Sequence, residues 1–209
     1  AQRIAPFATA VETFHNFTLL HDDIMYNAPL RRGKPTVHEK WNINTAILSG
    51  DVMQVKVYDL FLNLEGQMLK DVLVEFNECA TEVCEGQQWD MEFEGQSKVT
   101  EAHYINMIRQ KTAVLVGFSL ELGAILAEAS LADRLGLYQF GVNIGIGFQL
   151  KDDLLDVYGD QKKFGKQVGG DIISNKKTFL LIKALERAKG KEKIELTKWL
   201  KLKKFDKQK

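Results

Sequence analysis

The stretch Leu137–Asp160, LYQFGVNIGIGFQLKDDLLDVYGD, decides the fold class. It belongs to a predicted helix over about residues 131–158 that is too apolar for a helix with one face in water. Its partner is "KTAVLVGFSLELGAILAEA", Lys111–Ala129, inside a second predicted helix over about 100–129. The small residues Gly117, Gly123, Gly141, Gly145 and Gly147 lower helix propensity. They are expected where helices pack closely or where a ligand lies against the backbone, with plain core packing as the alternative for any one of them.

Working outward, helical periodicity recurs over about 7–25 (Phe7, Val11, Phe14, Leu19, Leu20), 44–64, 67–86 and 174–203. There is no sustained period-two alternation and no Asn-Gly hairpin turn. Gly66, Gly95 and the "FGKQVGGD" segment mark turns, and Pro29 and Pro35 bracket a loop, "PLRRGKP". The reading is all-α. The chain has 209 residues, 45% of them apolar, and no internal linker, which predicts one domain over 1–209 with a sizeable core. It starts without Met, straight into helical pattern, and ends in "KWLKLKKFDKQK" without a cap. It is therefore expected to lack native N-terminal and C-terminal segments.

The formal net charge is zero, so no nucleic-acid partner is expected, and the terminal lysines read as a solvated helix face. No apolar run approaches a membrane span, so no stable membrane insertion is expected. Cys79 and Cys84, five apart on a helix, point roughly 140° apart. That is poor disulfide geometry. Both are predicted to be buried reduced thiols in a cytoplasmic protein, and no further Cys or His has zinc spacing.

The chemistry concentrates in two acidic turns. In "FQLKDDLLDVYGD", Asp152 and Asp156 lie one turn apart on one face, with Asp153 flanking. Like charges so placed destabilise an exposed helix by a few tenths of a kcal/mol, so something must neutralise them. In "HDDIMY", Asp22 and Asp23 again follow an apolar helix, about 130 residues earlier. Two such ends can face each other across a bundle interior. Oxygen-only clusters suit Mg²⁺, which keeps waters and completes its octahedron with substrate phosphates. Arg31 and Arg32 follow the first cluster, and guanidinium forks match phosphate oxygens. Lys111, Lys166, Lys176 and Lys177 stand at helix starts or in Gly-containing turns. Together these predict a substrate with a diphosphate head and a hydrocarbon tail.

"HDDIMYNAPLRRG" and "GFQLKDDLLDVYGD" resemble the two aspartate-rich motifs of the trans-isoprenyl diphosphate synthases, the polyprenyl synthetase family. "EGQQWD" at 85–90, "KT" at 111–112 and "FGKQVGGDIISNKKT" at 164–178 fall in family order. The resemblance spans essentially the whole chain. It implies antiparallel helices around a deep central cavity, usually in a homodimer. It also implies Mg²⁺-dependent condensation of isopentenyl diphosphate with an allylic diphosphate to give a longer trans product. Residue by residue, it implies metal-site roles for Asp22, Asp152 and Asp156, with Asp23 and Asp153 acting through hydrogen bonds or metal-bound water. Arg31, Lys111, Lys166 and Lys176 would hold the allylic diphosphate and Arg32 the isopentenyl diphosphate. Thr112 and Gln149 would line the reaction centre. Phe17, five residues before Asp22, would set the floor for the growing tail, implying a product of about C15–C20.

Two departures stand out. The family pattern has a third aspartate where this chain has Tyr26, and a neutral phenol is no hard anionic ligand. This predicts weakened Mg²⁺ binding and slow turnover. The family's early Gly-Lys-Arg-x-Arg segment is absent from the sequence. Tyr26 also favours an alternative, a catalytically weak or inactive subunit that modulates a partner synthase. A class I terpene cyclase or head-to-head condensing enzyme shares the metal logic, but the RRG, KT and GK elements speak against it.

Overall fold

Pro6 stands in the first turn of helix α1 (Ala5–Met25), where its missing N–H interrupts no helical hydrogen bond. The protein is described by a computed structural model covering residues 4–96, 98–159, 170–173 and 176–200. After α1 come a hairpin of β1 (Leu30–Arg31) and β2 (Lys34–Pro35), then α2 (Val37–Lys40), α3 (Ile43–Phe61) and α4 (Gly66–Gly95). Next are α5 (Glu101–Ile108), a π-helical turn (Arg109–Ala113), α6 (Val114–Leu126) and α7 (Leu131–Tyr158). The short α8 (Gly170–Ile173), α9 (Phe179–Arg187) and α10 (Gly190–Leu200) complete the order. The all-α expectation holds. Among the described residues no helix is long and apolar enough to cross a membrane.

Local chemistry sets the helix ends. Asn42 caps α3 by accepting from the Thr45 N–H at 2.8 Å, and Thr100 caps α5 through His103 N–H at 3.2 Å. Ser130 and Asp133 bond to each other ahead of α7, the hydroxyl donating at 2.7 Å and the Asp133 N–H returning at 3.2 Å.

Five sequence expectations are corrected. The loop "PLRRGKP" contains a hairpin, with Leu30 opposite Pro35 and Arg31 opposite Lys34. Its two turn residues, Arg32 (φ 52°) and Gly33 (φ 75°), both take the left-handed conformation that two-residue hairpins require. Arginine is an unusual choice there, so no turn signal showed. Helix 67–86 runs on to Gly95, and the predicted helix at 174–203 is broken after Arg187, with Gly190 (φ 53°) opening α10. Helix 100–129 carries the π turn. Both cysteines are free, but only Cys79 is buried. The rotation that separates them leaves Cys84 exposed.

The chain forms two compact units, Ala1–Ala80 with Leu115–Gly141, and Thr81–Val114 with Val142–Lys209. In the first, Phe76 is the hub of an aromatic core. Its ring meets Phe14 and Phe61 at 5.1 Å, Tyr58 at 5.4 Å and Phe118 at 5.7 Å, mostly edge to face. A Cβ on Gly141 would stand 2.7 Å from the Cα of Gly117, so α6 and α7 approach there with no side chain between them. Gly123 faces open space, and the expectation of close packing fails for it. The second unit packs Phe93, Val99, Tyr104, Met107, Ile108 and Ile182 together.

Two acids are buried in the first unit, Asp23 and Glu121. Glu121 on α6 is only 3% exposed. Its carboxyl is raised from the ordinary 4.5 to about 7, by burial first and then by Glu75 and Glu78, against the opposing charge of Arg134. The folded state therefore holds this proton more tightly than the unfolded chain. The stability it contributes is complete below about pH 4.5 and is lost as pH rises through about 7. Glu121→Gln is predicted to remove this loss. Thermal melts should show the variant about 2 kcal/mol more stable than the parent at about pH 8 and equal to it at about pH 4.5.

Candidate active site

The first acidic motif is fixed by how α1 ends. Tyr26 caps the helix, its N–H reaching the Asp22 carbonyl at 3.0 Å. Asn27 then takes the left-handed conformation (φ 49°), its N–H meeting Ile24 O at 3.1 Å while Ala28 N–H meets Asp23 O at 2.9 Å. This is a Schellman ending with Asn in place of Gly. Thr36 closes the following loop, its hydroxyl donating to Ala28 O at 2.7 Å and its N–H to Pro29 O at 3.2 Å. The closure returns Arg31 to the helix end. Arg31 Nε donates to both Asp23 oxygens, at 2.8 and 2.9 Å, and a terminal nitrogen reaches Asp22 Oδ2 at 3.4 Å. The hydrogen bond to Asp23 raises the guanidinium pKa, burial opposes it, and the charges of Asp23 and Asp22 add to the rise.

Asp23 is 5% exposed and its charge is answered mainly by Arg31; Asp22 is half-buried. Asp23 is thus held by hydrogen bonds to Arg31, and Asp22 is the more open carboxylate of the two. Arg32 is exposed in the hairpin turn. Phe17 is buried on α1, its ring tilted against Phe14 at 5.6 Å and edge-on to His21 at 4.7 Å.

In the second unit the π turn is the organising element. Each of its first three residues meets an α4 acid. Arg109 pairs with Glu82, Gln110 Nε2 donates to Glu85 Oε2 at 3.2 Å, and Lys111 Nζ meets Asp90 Oδ2 at 2.6 Å. A Cβ on Gly86 would stand 2.3 Å from Lys111 N, and one on Gly145 would stand 2.5 Å from Ala113 Cα. The turn is clamped between bare backbone of α4 and of α7. Such single π turns inside helices recur at functional sites.

The next residue, Thr112, donates its hydroxyl to Gln149 Oε1 at 3.2 Å, and Gln149 Nε2 donates to Asp153 Oδ1 at 3.2 Å. Asp153 is 3% exposed and also accepts from the Tyr104 hydroxyl and from Phe179 N–H, the latter at 3.3 Å. Burial raises its pKa, against the bonds from Tyr104, Gln149 and Phe179. Asp156 accepts from Asp171 N–H at 3.1 Å. Burial pushes the Asp171 carboxyl up to about 6. Lys176 opposes the rise, and Asp156, Asp153 and Asp152 add to it. Lys176 is half-buried, its N–H bonded to Asp171 O at 2.9 Å. Lys166 lies outside the described residues.

Among the described residues no group of three or more His, Cys, Asp or Glu side chains is arranged to hold a metal ion. The donor chemistry of the second motif nevertheless fits one. Asp152 and Asp156 are carboxylates one turn apart on α7, in a field negative enough to help raise the pKa of Asp171. An oxygen-only pair of this kind suits a hard divalent cation that takes its remaining ligands from water and phosphate.

Sequence reasoning missed four contributors. Tyr104, Asp171, Asp90 and Gly86 carry no signal alone, though the last three stand inside quoted motifs. Removing the Arg31 charge tests the first motif. Arg31→Gln should strand the buried Asp23 carboxylate and cost about 1–3 kcal/mol in denaturant unfolding. Adding Asp23→Asn should recover most of that loss.

The family model described as polyprenyl synthetase matches residues 1–209. The short chain isoprenyl diphosphate synthase of Methanocaldococcus jannaschii is 42% identical over 199 residues, covering 93% of this chain and 61% of that protein. The geranylgeranyl diphosphate synthase of Saccharolobus solfataricus is 43% identical over 196 residues, covering 92% and 59%. A crystal structure of a geranylgeranyl pyrophosphate synthase superposes with a TM-score of 0.91 at 49% identity, covering 94% of this chain and 60% of that one. The chain thus spans about three-fifths of the length of the relatives it matches.

Proposed function

Because the chain belongs to the polyprenyl synthetase family, we propose that it catalyses condensation of isopentenyl diphosphate with an allylic diphosphate to give a longer trans-prenyl diphosphate of about C15–C20. The observation that carries this is the hydrogen-bonded line from Thr112 through Gln149 to Asp153. It joins the KT turn to the second acidic motif, as a site for a charged head beside a reacting carbon requires. The geranylgeranyl synthases among the relatives support the upper end of the length range.

In this reading Arg31, Lys111, Lys166 and Lys176 hold the allylic diphosphate, and Arg32 the isopentenyl diphosphate. Lys111 is already positioned by Asp90, which fixes the direction of its ammonium before substrate arrives. Asp22, Asp152 and Asp156 would hold Mg²⁺, with Asp23 and Asp153 as their hydrogen-bonded supports. When bound, the ion stabilises charge developing on the leaving diphosphate. The allylic C–O bond breaks, the isopentenyl double bond attacks the cation, and a proton leaves. Thr112 and Gln149 present oxygen dipoles to the cation, and the apolar walls of a deep central cavity exclude water.

We place this chemistry in one domain of a cytoplasmic homodimer. Two free cysteines support the reducing compartment. Leu48, Val52 and Val55, exposed at helical spacing on α3, form an apolar stripe suited to a second copy.

Three measurements test the reading. The purified protein, given both diphosphates and Mg²⁺, should release chain-elongated diphosphates. Tyr26→Asp should speed that reaction and lower the Mg²⁺ needed for half-maximal rate by about 10-fold or more, the scale of metal-site perturbations. An unchanged Mg²⁺ dependence rejects the role given to Tyr26. Phe17→Leu, milder than Phe17→Ala, which risks about 3 kcal/mol of core packing, should shift the products to longer chains. Identical product lengths remove Phe17 from the floor.

A further inference from the structure

Tyr104 is one of the most buried polar residues of the second unit, 3% exposed within the cluster of Phe93, Met107, Ile108 and Ile182. Nothing in the proposed reaction needs a phenol there, and a phenylalanine would fill the same volume. Its hydroxyl is spent on one acceptor, Asp153 Oδ2. The Phe179 N–H, at the start of α9, gives to that same oxygen at 3.3 Å. The other oxygen, Oδ1, is left for Gln149 at 3.2 Å.

This arrangement constrains the amide. A side-chain amide has a donor end and an acceptor end of nearly equal size, and only its partners choose between the two orientations. With Asp153 held as an acceptor, Gln149 turns its nitrogen to Asp153 and its oxygen to Thr112. The Thr112 hydroxyl then points its hydrogen at Gln149 Oε1, 3.2 Å away, and its lone pairs elsewhere. Lone pairs so directed favour positive charge, while a hydroxyl with its hydrogen outward would oppose it. Three elements, α5, α7 and the start of α9, therefore determine the direction of one dipole on the π turn.

We propose that Tyr104 is a positioning residue that sets the orientation of the Gln149 amide through Asp153, and thereby aims the Thr112 hydroxyl for a cationic reacting group. The catalytic consequence rests on the proposed prenyl transfer; the amide orientation does not.

The test separates the two. In ¹⁵N-labelled protein without substrate, the Gln149 side-chain amide resonance is assigned by its loss in Gln149→Leu. It should move in Tyr104→Phe, and in Asp153→Asn should Tyr104→Phe fail to fold. In turnover, Tyr104→Phe should lower kcat about 10-fold or more and leave KM for both diphosphates unchanged. It should have no further effect in a Gln149→Leu background. An unmoved resonance, or losses that add across the two sites, overturns the proposal. Absence of product from the parent protein rejects the prenyl-transfer reading and leaves the resonance to decide on Tyr104.

Discussion

The second unit depends on a close contact between backbones. The π turn can exist only because α4 offers Gly86 and α7 offers Gly145 where any Cβ would collide with it. A π turn inserts one residue into a helix, so the side chains after it are rotated from the positions a continuous helix would give. That rotation brings Lys111 to Asp90 and Thr112 to Gln149. With a side chain at either glycine, the helix would have to move away, and both contacts would go with it. The "EGQQWD" segment then has a simple physical reading. The glycine admits the turn and the aspartate, four residues on, receives its lysine.

How charge is handled differs between the two acidic motifs. In the first, the inner carboxylate Asp23 is answered by a cation from eight residues away, and the closure through Thr36 makes that local contact possible. In the second, Asp153 is answered among the described residues by neutral donors: a phenol, an amide and a backbone N–H. Neutral donors orient a carboxylate without cancelling its charge. Asp153 therefore keeps its negative field, and the raised pKa of Asp171 registers it together with Asp156 and Asp152, against Lys176.

Much of this was legible in the sequence. The helix order followed from apolar spacing, and the carboxylates, arginines and KT pair were found because such residue types rarely cluster by chance. What escaped notice depends on contacts between distant segments. Tyr104 reads as an ordinary core aromatic, since a hydroxyl has no periodicity; its partner is 49 residues away. The π turn leaves no compositional trace in "RQKTA", because its cause lies at Gly86 and Gly145. The hairpin was invisible because Arg32 adopts a backbone conformation that glycine and asparagine usually supply. Glycine alone proved ambiguous, for Gly141 and Gly145 mark tight contacts while Gly123 and Gly147 face open space.

Both acidic motifs occupy the last turns of their helices, Asp22 and Asp23 in α1 and Asp152, Asp153 and Asp156 in α7. The peptide dipoles of a helix sum to roughly half a negative charge at that end, where an acid of the final turn, as Asp22, Asp23 and Asp156 are, is disfavoured by about 0.3–1 kcal/mol. Neither helix has a basic residue in its last turn to offset this. Each axis therefore ends in a negative pole that its own side chains deepen. A protein so built holds part of its folding energy in reserve as electrostatic tension at two helix termini, and any cation that settles there is drawn by backbone and side chains alike.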